Sequence, residues 1–218
     1  MDSMKPLDLF IRTYVHPNMK AVGFTKKGRL FRRYSPDGDA LFLEFTTHQV
    51  DARATVFDVT FYIASLRYWE WLVHNEPEPG SLDRSAAVLM CPIMPPAELS
   101  YRPTGWGDFP ERPKGWSDFP ERWVFGDDQS YLGCGNALSG LLTMDAIRKV
   151  ERLLDRKALL QEFLAPTPPN SRVAARDTGG ILLSLGVVPR EEMQNKLDAL
   201  RGNDLAKRAV EWAESYLR

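Results

Sequence analysis

RLFRRYSPDGDALFLEFTTHQVDARATVFDVTFYIA, residues 29–64, decides the fold class. In its last ten residues, 55–64, Phe57, Val59, Phe61 and Ile63 alternate with Asp58, Thr60 and Tyr62. Successive side chains on a strand point to opposite faces, so this pattern predicts a strand with one apolar and one mixed face. Residues 40–49 repeat the period, with Leu41, Leu43 and Phe45 opposed to Phe42, Glu44, Thr46 and His48. Residues 29–35 form a third strand and end at Pro36-Asp37-Gly38-Asp39, a run with the chemistry of a tight turn. The three together predict an antiparallel meander that buries one face.

Working outward, residues 3–22 carry Leu7, Phe10, Ile11, Tyr14 and Val15 at helical spacing. Ser3 is a candidate N-cap and Pro6 suits a first turn, while Pro17 should kink or divide the helix and Gly23 end it. Residues 66–74 predict a short helix and 121–127 a fourth strand. Residues 143–164 predict a helix opened by Thr143, with Ile147, Val150, Leu153, Leu154, Leu160 and Leu164 on its apolar stripe. Helices over 173–186, 190–201 and 204–218 follow, the last capped by Asp204. Helices gathered after a run of strands give an α+β class: an N-terminal helix, an antiparallel sheet of three to four strands, and a helical C-terminal third. We expect one domain over 1–218, made of a helix and meander (1–76), a Pro- and Trp-rich loop region (77–125) and a helical part (126–218).

The loop region holds a tandem duplication, RPTGWGDFPE (102–111) and RPKGWSDFPE (112–121), whose copies differ only at Thr104/Lys114 and Gly107/Ser117. Two such short units are too few for a solenoid, so a local duplication inside an irregular loop is the reading. The formal net charge of −1 supplies no global field toward nucleic acid or anionic lipid, so either would need a local patch. Cys91 and Cys134 are the only cysteines and make no disulfide framework. No stretch approaches the ~18 apolar residues of a membrane span, and the first residues lack a signal-peptide pattern. A cytoplasmic protein is the expectation.

Four features are candidate sites. The basic hairpin has Lys26, Lys27, Arg29, Arg32 and Arg33 interleaved with aromatics, a composition suited to phosphate or nucleic-acid contact. Strand alternation splits these charges between faces, and a solvated edge strand is the favoured alternative. On the mixed face, Glu44, His48, Asp58 and Tyr62 occupy alternating positions of adjacent strands, which suits a polar partner surface better than acid–base or metal chemistry. His16, His48 and His74 share no metal-ligand spacing, and neither a metal nor a cofactor is implied. The glycine-rich stretch YLGCGNALSGLLTMD (131–145) matches neither a P-loop nor a dinucleotide fingerprint and predicts a tight connector. In the Trp-rich loop, Trp106, Trp116 and Trp123, with Phe109 and Phe119, have the composition of interface hot spots, while folding back onto the core is the favoured alternative.

The block GFTKKGRLFRRY (23–34), followed by FLEF (42–45) and FDVTFYI (57–63), resembles the uncharacterised bacterial domain-of-unknown-function family numbered 4304. ERWVF (121–125) is similar to a late aromatic strand of that family, and Ala64 departs from its pattern, which has a glycine there. The resemblance implies no reaction and no catalytic residues. Small bacterial domains of this kind include immunity proteins beside toxin genes, so it favours protein binding. With no catalytic constellation, the leading expectation is a non-catalytic protein-binding domain, immunity- or antitoxin-like. A nucleic-acid or phosphate module through the basic hairpin, and an enzyme using Glu44, His48, Asp58 or Cys134, are the alternatives.

Overall fold

The computed structural model describes residues 4–48, 53–75, 82–101, 121–166 and 171–218. The fold is α+β, and the described residues form one antiparallel eight-stranded sheet. Strands β1 (Thr25–Lys27), β2 (Leu30–Tyr34), β3 (Ala40–His48), β4 (Thr55–Ala64), β5 (Ala87–Pro92) and β8 (Ser171–Arg172) lie in that order. Strand β7 (Arg122–Phe125) pairs with the start of β4, and β6 (Ser100–Tyr101) pairs with β7. The meander β2–β3–β4 and the fourth strand, β7, are as expected. The sheet is larger than three to four strands because β1, β5, β6 and β8 are short or lack alternation, and β5 falls inside the stretch expected to be loop. Contacts divide the chain into two compact units, each assembled from separate stretches.

The first unit takes in Met1–Phe31, Leu43–Thr60 and Pro92–Ile147. Its N-terminal helix runs as α1 (Pro6–Phe10), a π turn (Ile11–Val15) and α2 (His16–Ala21). Pro17 cannot donate a backbone hydrogen bond, and the π turn just before it absorbs that loss without breaking the helix. The Tyr14 carbonyl accepts from Asn18 Nδ2 at 3.1 Å and Ser139 Oγ at 2.9 Å. The core is aromatic: Phe10 packs on Phe57 (5.5 Å) and Phe125 (5.3 Å), and Trp123 stacks on Phe57 (6.3 Å) while donating from Nε1 to Ile93 O at 2.7 Å. Each buried ring stabilises by roughly 1.5–3 kcal/mol of burial, with ~0.5–1.5 kcal/mol more per well-placed pair.

The glycine-rich stretch is a correction. It is not a connector but most of helix α4 (Asp128–Leu141), which continues through a π turn (Leu142–Ala146) into α5 (Ile147–Glu151). The start signal is Asp127, whose carboxylate accepts from Ser130 N in a reciprocal capping box with the Ser130 hydroxyl. Thr143 is therefore not an N-cap; its hydroxyl donates back to Ser139 O at 2.8 Å inside the helix. Gly135 is there for close packing, because a Cβ would meet the Tyr14 ring at 2.6 Å.

The second unit takes in Arg32–Phe42, Phe61–Cys91 and Arg148–Arg218. The helix expected over 143–164 breaks at Asp155, which caps a new helix, α6 (Arg156–Leu164), by accepting from Ala158 N at 2.8 Å. Helices α7 (Arg176–Ser184), α8 (Arg190–Leu200) and α9 (Lys207–Tyr216) bury Ile181, Leu182, Met193, Leu197 and Val210 in one cluster. Tyr68 and Trp71 of α3 (Leu66–Asn75) pack against it. Ala206, not Asp204, stands at the N-cap of α9, with no side-chain cap.

Candidate partner-binding face of the sheet

Phe57 and Val59 of β4 are buried while the alternating Asp58 and Thr60 are half-buried, so the expected apolar and mixed faces are both present in the first unit. The register carries the mixed face across further strands. Phe57 lies opposite Trp123, and Tyr101 opposite Arg122. Since Trp123 is buried in the core, its neighbour Arg122 projects to the mixed side, and its cross-strand partner Tyr101 shares that side.

The result is a polar row. His48 Nε2 lies 2.5 Å from Asp58 Oδ2, and Arg122 Nε lies 3.6 Å from Asp58 Oδ1. The three side chains are 24%, 25% and 22% exposed. Arg122 Nε itself is buried and has no hydrogen-bond acceptor. Glu44 is half-buried on the same face of β3. Tyr62 follows Asp58 and Thr60 on β4 but belongs to the second unit. The sequence pattern thus located His48 and Asp58, which the structure joins, and missed Arg122 and Tyr101. Extending the alternation to ERWVF would have placed Arg122 opposite Trp123 in facing.

Trp106, Phe109, Trp116 and Phe119 lie outside the described residues. Their sequence neighbours do not: β6 ends at Tyr101, β7 starts at Arg122, and these two residues are cross-strand partners. No family model, curated protein or solved structure matches the chain.

The basic hairpin is partly committed within the chain. Strand β1, with Lys26 and Lys27, is exposed at one end of the sheet, the position where lysines block edge-to-edge pairing. Arg29 donates to Asp8 from Nε at 2.6 Å and Nη2 at 3.2 Å, and reaches Thr47 Oγ1 at 3.2 Å. Arg33 pairs with Glu151, and Arg32 is exposed. Hydrogen bonding from Arg29 holds the Asp8 carboxyl below its usual range. A depressed carboxylate contributes stability above the unfolded value, near 3.9, and loses it as pH falls through the folded value. Arg29→Gln should therefore lower stability at pH 7 by a screened fraction of a kcal/mol, on the order of 0.5. The difference from the parent should narrow in denaturant titrations as pH falls from the unfolded value near 3.9 through the lowered folded value. A difference with no pH dependence across the acid range would mean that Arg29 acts by packing instead.

The enzyme reading finds little chemistry in the thiols. Cys134 is fully buried, donates from Sγ to Val124 O at 3.2 Å, and burial pushes its thiol up to about 11. Burial raises the half-buried Cys91 thiol as well. Thiolate is the reactive form, so neither is primed as a nucleophile near neutral pH. At pH 8 an aromatic disulfide reagent should label Cys134 only on unfolding and Cys91 slowly, with two equivalents released in denaturant. Rapid release of two equivalents from the folded protein would contradict this burial.

Among the described residues, no group of three or more His, Cys, Asp or Glu could hold a metal ion, and no helix is long and apolar enough to cross a membrane. An open cleft of about 290 Å³ in the first unit is lined by Pro6, Arg53, Thr55, Phe125, Asp127 and Tyr131 among others, none of them in the polar row. The row thus brings together a His–Asp contact, an arginine beside it and a tyrosine on the paired strand.

Proposed function

We propose that the chain is a non-catalytic protein-binding domain, a bacterial cytoplasmic protein of the immunity or antitoxin kind. It holds its partner with the mixed sheet face and the tryptophan-rich duplication. The observation that carries this reading is the row His48–Asp58–Arg122, with Tyr101 paired to Arg122 across the two strands that bracket the aromatic duplication in sequence. Arginine and large aromatics are the residues from which interface hot spots are built, and paired strands hold Arg122 and Tyr101 with little left to order on binding. The resemblance to family 4304 points the same way.

The test is affinity capture of the tagged protein from its native host, with mass spectrometry and a nucleic-acid stain on the eluate, followed by direct titration of the captured partner. One stoichiometric protein is expected. Arg122→Glu with His48→Ala, and separately Trp106→Ala with Trp116→Ala, should each weaken its binding about 10-fold or more while far-UV circular dichroism and melting hold. Unchanged affinity in both variants, or an eluate without protein, overturns the reading. Salt-sensitive nucleic acid in the eluate would instead favour the hairpin, where Lys26, Lys27 and Arg32 are exposed.

A further inference from the structure

We draw no further inference here: the strongest candidate, the open cleft lined by Pro6, Phe125 and Tyr131 at the start of α4, is a helix N-terminus already capped by its own Asp127, and no buried, unpartnered side chain aimed into it among the described residues says what would fill it.

Discussion

Gly179→Ala should lower the stability of the protein by about 2 kcal/mol, although alanine is the better helix former. Gly179 is buried in α7, and a Cβ there would land on Cζ of Phe163 and within 2.9 Å of its Cε1. Phe163 is fully buried in α6, with its neighbours Leu159 and Leu160 also in the core, so the ring has no solvent to move into. Overpacking of this kind costs ~1–3 kcal/mol or somewhat more, against a helix-propensity gain of ~1 kcal/mol, so the clash wins. Gly140 in α4 supplies the contrast. Nothing lies within 4 Å of a Cβ there, so Gly140→Ala should stabilise by roughly 0.5–1 kcal/mol. Denaturant midpoints of the two variants and of Gly179→Ala with Phe163→Leu measure both signs. The double variant should recover part of the loss, because leucine has no atom where the ring tip sits. If Gly179→Ala proved neutral, the α6–α7 contact would be looser than the structure has it.

The same glycines explain what the sequence concealed. Glycine is a poor helix former, so five residues of YLGCGNALSG that look like turn material outweighed the capping signal at Asp127 and Ser130. Packing decided otherwise: Gly135 makes room for the Tyr14 ring, which a Cβ there would meet at 2.6 Å. By contrast, residues 55–64 were legible face by face, because a two-residue period fixes orientation before any tertiary contact is known. Phe57, Val59, Phe61 and Ile63 are all buried, and Asp58, Thr60 and Tyr62 half-buried. His48 and Asp58 could be placed on one face for that reason, but their meeting required the register of β3 on β4. Arg122 and Tyr101 required more, since β7 pairs with β4 from far along the chain. A short sequence pattern carries facing and not register between distant strands. The edge strand β8, two residues long, carries too little pattern to see at all.

Asp39 and Arg156 should show the other large effect, and an unequal one. Asp39 was part of the turn signal in Pro36–Asp39, yet its side chain is 1% exposed. Its Oδ1 accepts from Leu66 N, the first amide of α3, at 2.7 Å, and its Oδ2 from Arg156 Nε at 2.8 Å. Arg156 also donates from Nη2 to Asp37 O at 2.8 Å, so one carboxylate ties the β2–β3 turn to the starts of α3 and α6. Arg156→Met strands a buried carboxylate with one backbone donor, a loss of about 3–5 kcal/mol. Asp39→Asn keeps an oxygen for Leu66 N and leaves Arg156, 23% exposed, able to turn to water and Asp37 O. It should cost less, ~1–3 kcal/mol. The double variant should be more stable than the sum of the two losses predicts, by ~1 kcal/mol or more, because the second change no longer breaks a pair. Equal losses of under 1 kcal/mol from each change, with additive behaviour together, would reduce the contact to an ordinary surface pair. The expected ordering, with Arg156→Met worse than Asp39→Asn, follows from which of the two charges has water within reach.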